Sequence, residues 1–427
     1  EVQALSWPAA IVESSDAVCP CLNTRQMSEP TGFLPVAGVR LTATAAGIRY
    51  RDRDDLVVME FVPGSTCAAV FTRNAFCAAP VVVAREHLAA EAPRYFLINS
   101  GNANAGTGEA GVRAARETCK SLAAAAGCAM NQVLPFSTGV IGEDLPTNGF
   151  LVAVPGALQH LHEDTWPVAA RAIMTTDTVP KLASRRVDLD GRAVTVTGMA
   201  KGAGMICPDM ATMLAFIATD AAVPASILQR MLERAVAGSF NSITVDGDTS
   251  TNDACALVAT GASGVTVNGE DSRAGRALCE ALEAVCFELA RAIVRDGEGA
   301  TKLVTIEVVD AADEAEARRV GYTIAHSPLV KTALFASDPN WGRILAAVGR
   351  AGIEDLDIAR VKIHLDDVAI VSSGGRDPAY TEAAGEDVLA RTEFRIRVGL
   401  GRGAASATIL TCDLSFDYVK INAEYRT

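Results

Sequence analysis

Residues 210–219 read M-A-T-M-L-A-F-I-A-T and form the longest apolar stretch in the 427-residue chain. The stretch has about half of the roughly 20 residues that a helix needs to cross a bilayer. It is short and rich in small side chains, so the simplest prediction is a buried β-strand.

Two helical patterns follow this strand, with apolar side chains at spacings of one, three and four in residues 227–236 and 277–294. Strands are predicted at 95–99, 242–245 and 301–309 and in several later segments. Residues 54–72 contain two β-rich runs around Pro63-Gly64, which predicts a hairpin. The alternation of helices and strands predicts an α/β (α+β) fold.

The composition favours a large core and a small-molecule enzyme. The chain is 49% hydrophobic and 21% charged, and its length predicts two or three domains. Only 5% of residues are aromatic, so the core is expected to consist of sheets covered by helices and built from small aliphatic residues. The net charge is −13 with no long basic stretch, which argues against binding to nucleic acid or to an anionic membrane.

The N-terminal segment and the cysteines indicate where the protein works. The chain opens with Glu1 and its first methionine is Met27, so residues 1–26 are predicted to be an extension outside the fold. We expect no secretion signal, because Glu13 and Asp16 stand where a signal would be apolar. The eleven cysteines are scattered and form no C-x-x-C pair, which is typical of a reducing compartment. The cytoplasm is the predicted location.

A glycine motif at residues 106–111 matches G-x-G-x-x-G and stands before a predicted helix. A dinucleotide site needs the first glycine close to the end of the strand, but residues 101–105 intervene. The acidic residue expected about 20 positions later is also missing. We interpret the motif as a structural turn.

Two metal-like motifs are incomplete. His162-Glu163 begins like H-E-x-x-H, but Trp166 occupies the position of the second ligand. Asp246-Gly247-Asp248 begins like a calcium loop, but Thr251 replaces the required glycine. A polar turn is favoured there, and neither a metal nor a cofactor is predicted.

Loops rich in threonine and glycine carry the remaining candidates for chemistry. They span residues 137–139, 175–178, 201–214 and 248–253. Each has an ordinary interpretation as a turn or a helix cap. Thr212 has a chemical alternative: a threonine at a new chain N-terminus carries its own base, an α-amine with a reference pKa of about 7.7–8.0. The small Ala211 before it would let the hydroxyl attack the preceding carbonyl.

Eight segments together resemble one known family. They are G-N-A-N-A-G-T-G (101–108), F-S-T-G-V-I-G-E (136–143), A-I-M-T-T-D-T (172–178), K-G-A-G-M-I-C-P-D-M-A-T-M-L (201–214), D-T-S-T-N-D (248–253), G-E-G-A-T-K (297–302), D-P-N-W-G-R (338–343) and N-A-E-Y-R-T (422–427). The chain resembles the ornithine acetyltransferase (glutamate N-acetyltransferase) family of arginine biosynthesis from about Val36 onward. Asp209 departs from the pattern, because the family more often has Asn there.

The resemblance implies an enzyme that cleaves its own chain between Ala211 and Thr212. The products would be an α-chain (1–211) and a β-chain (212–427) that stay associated, with α2β2 as the expected assembly. The implied fold has an N-terminal-nucleophile-like main domain and a smaller C-terminal α/β domain. In this division residues 27–211 and 212–310 form the main domain, and 311–427 form the C-terminal one.

The resemblance also implies the reaction and its residues. Thr212 would take the acetyl group from N-acetyl-L-ornithine and pass it to L-glutamate, and some family members also accept acetyl-coenzyme A as donor. Thr138 and Gly139 match the family's oxyanion-stabilising positions. The positions that match substrate-binding residues are Thr178, Lys201, Thr212, Glu298, Asn422 and Thr427.

Three other functions remain open at the level of the residues. The first is a self-cleaving amidohydrolase or aminopeptidase on the same scaffold, in which water takes the acyl group. The second is an uncleaved binding or assembly protein in which Thr212 is an ordinary strand residue. The third is a cysteine enzyme that uses Cys207 or Cys77.

Overall fold

A computed structural model describes residues 33–189, 191–207 and 213–424. The predicted extension, residues 1–26, lies outside the described residues. The strands are β1 (Val39–Thr44), β2 (Leu56–Phe61), β3 (Thr66–Phe71), β4 (Tyr95–Asn99), β5 (Val133–Ser137), β6 (Lys181–Leu189), β7 (Arg192–Lys201), β8 (Leu214–Thr219), β9 (Ile243–Thr244), β10 (Ala254–Ala259), β11 (Leu303–Ala311), β12 (Lys362–Leu365), β13 (Val368–Ser372), β14 (Gly375–Arg376), β15 (Glu393–Gly399) and β16 (Ala405–Cys412). The helices are α1 (Ala79–Ala90), α2 (Gly108–Ala126), α3 (Thr147–Ala157), α4 (Trp166–Ala172), α5 (Ala225–Ala237), α6 (Arg273–Arg295), α7 (Glu314–Ala325), α8 (Pro328–Phe335), α9 (Trp341–Gly349), α10 (Glu382–Leu389) and α11 (Phe416–Glu424).

Two sheets pack face to face in the N-terminal part of the chain. The first has the order β1-β2-β4-β5 and the second has the order β3-β10-β8-β7-β6. The core between them includes Phe96 and Phe136 from the first sheet and Phe216 from the second. The rings of Phe136 and Phe216 meet edge to face with centroids 5.0 Å apart, a favourable geometry for aromatic pairs.

Helices cover the outer faces of both sheets. Successive side chains of a strand point to opposite faces, so β2 sends Val57 to the core between the sheets and Val58 to the core under α2 and α3. On the other side, α5 and α6 bury Leu228 and Leu282 against the second sheet. The result is a four-layer α-β-β-α sandwich. The predicted α/β class, with sheets sandwiched between helices, is confirmed.

A third sheet occupies the C-terminal part, with the order β14-β13-β12-β15-β11-β16-β9. Its core joins Ile306 of β11 to Val320 of α7. β9 precedes α6 in the chain but pairs in parallel with β16, so it links this sheet to the four-layer part. β11 ends at Ala311 and pairs with β15 and β16. The domain limits 27–211, 212–310 and 311–427 remain a prediction.

The predicted hairpin around Pro63-Gly64 is wrong. β2 pairs with β1 and β4, whereas β3 pairs antiparallel with β10 in the other sheet. The turn therefore carries the chain from one sheet to the next. Turn residues favour a reversal of direction. Which strands then pair depends on contacts with segments distant in sequence, here β4 for β2 and β10 for β3.

The strand and helix predictions elsewhere agree with the structure. The stripes at 227–236 and 277–294 lie on α5 and α6, and the strand predicted from the opening stretch is β8. The glycine motif opens α2, and a Cβ on Gly111 would lie 1.9 Å from the Thr107 hydroxyl oxygen. Close packing thus accounts for that glycine. No helix within the described residues is both long enough and apolar enough to span a membrane.

Candidate active site

A cavity of about 240 Å³ opens where the ends of several strands meet loops from both parts of the chain. Its walls come from two sets of residues. The set before position 212 comprises Ala103, Thr138, Gly139, Ile141, Thr175, Thr176, Lys201, Gly204 and Met205. The set after position 212 comprises Asp246, Asp248, Ser250, Asn252, Glu298, Tyr418 and Asn422. The cavity therefore lies between the two chains that cleavage at Ala211-Thr212 would produce.

Lys201 is the buried cation of the first wall and ends strand β7. Its Nζ donates hydrogen bonds to the hydroxyl oxygens of Thr175 at 2.7 Å and Thr138 at 3.3 Å. An ammonium group is a donor without acceptor capacity, so Thr138 must accept here. The proton of the Thr138 hydroxyl is then available to a second acceptor, as an oxyanion-stabilising group requires.

Thr138 and Gly139 follow the end of β5, in a loop held against residues 99–102. The N–H of Thr138 donates to the Asn99 carbonyl at 3.0 Å, and the N–H of Val140 donates to the Gly101 carbonyl. Gly139 has φ +131°, and a Cβ there would lie 2.3 Å from the carbonyl carbon of Gly101. Only glycine fits this close approach, so the backbone of Gly139 is held at the cavity wall.

The second wall is acidic. Asp246 and Asp248 follow β9, and Glu298 follows α6. Helix α11 adds Tyr418, whose hydroxyl lies 3.4 Å from a carboxylate oxygen of Asp246, and Asn422, whose amide donates to Glu298 at 2.8 Å. Three carboxylates and neutral donors make this wall suited to a cationic amino group.

Glu298 reaches the cavity because a glycine leaves room for it. Its N–H donates to the Ala203 carbonyl at 2.8 Å, and a Cβ on Gly204 would lie 2.4 Å from the Glu298 carboxyl group. The G-A-G sequence after Lys201 thus lets an acidic loop from the second wall lie against the first. Any larger residue at Gly204 would displace the carboxylate.

Burial changes the protonation of the acidic wall. It raises the pKa of Asp246 to about 6, against the opposing effect of the backbone N–H groups of Asp248, Met205 and Ile206. The Met205 N–H donates to Asp246 at 2.6 Å and the Ile206 N–H at 2.9 Å. Asp246 therefore holds the backbone of Met205 and Ile206 in place and also lines the cavity.

The sequence-predicted residues are only partly brought together. Thr138, Gly139, Lys201, Glu298 and Asn422 line the cavity. Thr178 is not among the lining residues: its N–H donates to Asp296 at 3.0 Å, and its hydroxyl also donates to that carboxylate.

Ala211, Thr212, Thr427 and the departing residue Asp209 lie outside the described residues. The residue after the predicted nucleophile, Met213, is described, and its N–H donates to Asp253 at 2.9 Å.

Sequence reasoning missed part of the site. The sequence pattern predicts a plain polar turn at Asp246 and Asp248, yet both residues line the cavity. Tyr418 carried no signal, because a single tyrosine near the chain end has no motif around it. Thr175 stands in the threonine-rich loop 175–178, whose pattern does not indicate that this residue contacts Lys201. A signal for Asp246 was its place directly after a strand, in a loop that contains three more polar residues of the cavity.

Neither of the two cysteines of the alternative function, Cys77 and Cys207, is among the residues that line this cavity. Burial raises the pKa of the Cys77 thiol, which makes it a poor nucleophile near neutral pH. Cys207 is buried, and its Sγ lies 3.7 Å from Nε2 of His326. Within the described part of the chain, no group of three or more His, Cys, Asp or Glu side chains is arranged to hold a metal ion. The absence of a cofactor remains a prediction.

Comparison with known proteins places the chain in one family. The ArgJ family model matches residues 40–427. The arginine biosynthesis bifunctional protein ArgJ of Methylococcus capsulatus is 62% identical, over 92% of this chain and 96% of its own length. The protein of the same name from Psychrobacter arcticus is 54% identical, over 93% of this chain and 98% of its own length.

Solved structures include ornithine acetyltransferase from Mycobacterium tuberculosis in complex with ornithine. This protein is 34% identical to the present chain. The match covers 43% of the present chain and 96% of the M. tuberculosis chain, with a TM-score of 0.36. The family model and the two relatives extend over both walls of the cavity and nearly the whole described fold. The chain therefore belongs to the ArgJ family.

Proposed function

We propose that this chain is an acetyltransferase of arginine biosynthesis that moves the acetyl group of N-acetyl-L-ornithine to L-glutamate. Membership of the ArgJ family and the names of the relatives support this function. The observation that carries it is the cavity, in which Lys201 and Thr138 on one wall face three carboxylates on the other. This arrangement suits an amino acid that carries both a carboxylate and a distal ammonium group.

The reaction begins with self-cleavage. The hydroxyl of Thr212 attacks the carbonyl carbon of Ala211, the C–N bond breaks and an ester forms. Water hydrolyses the ester, which leaves a carboxylate on Ala211 and a free α-amine on Thr212. That amine is the base that the weakly nucleophilic hydroxyl needs.

Acetyl transfer follows in two half-reactions. The Thr212 oxygen attacks the acetyl carbonyl carbon while the α-amine accepts the hydroxyl proton. Charge develops on the acetyl oxygen, where the Thr138 hydroxyl and the Gly139 N–H stabilise it. Ornithine leaves with the proton. The neutral amine of glutamate then attacks the acetyl ester, the bond between the acetyl carbon and the Thr212 oxygen breaks, and this oxygen recovers a proton from the amine through the Thr212 α-amine. The acidic wall holds the side-chain ammonium of ornithine.

A second activity, the cellular location and the assembly of the halves are also proposed for this enzyme. We assign a second activity, with acetyl-coenzyme A as donor, because both relatives are named bifunctional. We place the enzyme in the cytoplasm, which the nine free thiols of the described residues support. The cleaved halves are proposed to assemble as α2β2, which native mass measurement tests.

N-terminal sequencing combined with intact mass tests the central claim. We expect a fragment that begins Thr-Met-Leu-Ala, and Thr212→Ala should abolish both this fragment and acetyl transfer. Thr332→Ala, an exposed position on α8, is the matched control and should change neither. A fully active chain of 44.5 kDa would contradict the proposal.

The same preparation separates the alternatives. Release of acetate at a rate independent of added glutamate would identify a hydrolase. Activity that iodoacetamide abolishes would identify a cysteine enzyme.

A further inference from the structure

Asp177 is a fully buried carboxylate to which the family resemblance gives no role. Its side chain has no exposed surface, and it lies beneath the wall that carries Lys201. One oxygen accepts the N–H of Gly202 at 2.6 Å, and the other accepts the N–H of Thr175 at 3.1 Å. The Lys201 ammonium lies 3.9 Å from the second oxygen.

Through these contacts Asp177 influences Lys201 in three ways, two that affect its position and one that affects its charge. Gly202 is the next residue in the chain, so its position sets the backbone from which the lysine extends. Thr175 is the closest hydroxyl partner of Lys201, and Asp177 fixes its backbone as well. The carboxylate itself supplies a negative charge near the ammonium.

We propose that Asp177 is a positioning residue that keeps Lys201 protonated and directed at the hydroxyl of Thr138. Lys201 without its proton could accept the Thr138 hydroxyl proton, and the oxyanion would then lose a donor. Asp177 thus maintains the direction of the hydrogen bond on which oxyanion stabilisation depends. This inference rests on the proposed acetyltransferase function.

Burial and several nearby charges act on the pKa of Lys201 in opposite directions. Burial lowers the pKa of Lys201, and the nearby Lys181 lowers it further, whereas Asp177, Asp253 and Glu298 raise it. Among the three carboxylates that raise the pKa of Lys201, Asp177 has the largest effect. The other charged groups at the cavity, Asp246 and Asp248, lie on the opposite wall.

Asp177 is itself held in the ionised form. Burial alone would raise its pKa, but Lys181, Lys201 and the Gly202 N–H outweigh this effect and lower the pKa to about 2. Lys181 lies between two carboxylates, 2.6 Å from Asp177 and 2.7 Å from Asp296. The charge beneath Lys201 is therefore constant over the working pH range.

The test measures kcat/KM for acetyl transfer from pH 6 to 10.5. The high-pH limb is the fall in kcat/KM that we expect as Lys201 loses its proton. Asp177→Asn keeps the shape of the side chain but removes its charge. Because an opposite charge at this distance shifts a pKa by about one unit or more, we expect the limb to move down by at least one pH unit. Lys201→Arg assigns the limb, because a guanidinium does not titrate in this range and the limb should vanish.

A second variant is expected to shift the high-pH limb in the opposite direction. Lys181→Gln removes a like charge near Lys201, so the limb should move up in pH. This variant also carries the test if Asp177→Asn does not fold, which thermal unfolding reports. A rate that falls equally at all pH values, with the limb of both variants within about 0.3 unit of wild type, would overturn the proposal. Absence of acetyl transfer in the wild type would instead refute the proposed function.

Discussion

The cavity wall contributed before position 212 differs in chemistry from the wall contributed after it. The first wall offers an ammonium, hydroxyls and a glycine backbone. The Lys201 ammonium donates to the hydroxyls of Thr138 and Thr175, and backbone hydrogen bonds of Thr138 and Val140 flank Gly139. The second offers carboxylates, a phenol and an amide on loops and on the exposed helix α11. Groups that stabilise a developing charge must be fixed in advance, whereas groups that bind a flexible substrate tolerate more freedom.

The two walls also depend on each other, so the halves that the proposed cleavage would produce must remain together. Asn252, from the second half, donates to the carbonyls of Ala103 at 2.6 Å and Ser137 at 2.9 Å in the first. Strands of both halves share the second sheet, since β8 pairs with β7 on one side and β10 on the other. Neither half alone can form the cavity.

The largest effect is expected in the first wall. Gly139→Ala places a Cβ against the Gly101 backbone in a conformation that L-residues rarely adopt, so the loop must move. Loss of one oxyanion donor typically lowers kcat by about 10²–10³-fold, and we expect a loss of that size.

The control for this change is Gly156→Ala, at an exposed position of α3 with no atom within 4 Å of the added Cβ. It should keep full activity and should be slightly stabilised, because alanine favours a helix over glycine. Full activity in Gly139→Ala would show that the first wall does not carry the chemistry.

A smaller effect, on binding rather than on chemistry, is expected in the second wall. Glu298→Gln removes a charge that would pair with the substrate's ammonium group. We expect KM for N-acetyl-L-ornithine to rise about tenfold with little change in kcat, since a charged hydrogen bond contributes roughly 1.5–3 kcal/mol.

Glu288→Gln is the matched control, because Glu288 forms an exposed ion pair with Arg185 on the outer surface. It should leave both constants unchanged. If Glu298→Gln lowers kcat and leaves KM unchanged, the two walls do not divide binding from chemistry as described.

The smallest effect concerns pH. Because burial raises the pKa of Asp246 to about 6, this group gains its negative charge only as the pH rises through 6. KM for N-acetyl-L-ornithine should therefore fall by about three- to fivefold between pH 5 and 7, as the acidic wall becomes more negative. Asp246→Asn should flatten this profile.

The same shift has an opposite effect on folding. A carboxyl with a raised pKa stabilises the fold below the unfolded value of about 3.8, and this contribution is lost as the pH rises through 6. Urea unfolding at several pH values measures it. If the fall in KM persists in Asp246→Asn, another group controls the pH dependence of binding.

Local patterns predicted the elements better than their pairing. The stripes of α5 and α6 are visible in sequence because a helix repeats its buried face every 3.6 residues. The turn residues Pro63-Gly64 predict a hairpin that does not form, because a turn motif indicates that the chain reverses but not which sheet it joins next. Thr138, Gly139 and Lys201 lie in recognisable segments and line the cavity, whereas Tyr418 lines it without any local sequence signal.

The sequence by itself determined the fold class, the family and three of the nine residues that line the wall before position 212, namely Thr138, Gly139 and Lys201. Their motifs are contiguous, and each strand or loop follows from short-range spacing. Only the tertiary structure decided that Asp246, Asp248 and Tyr418 share a cavity with Lys201, and that Asp177 lies beneath it. Those groups come from distant segments, and burial and electrostatic pairing act through space, whereas the pattern of residues acts along the chain.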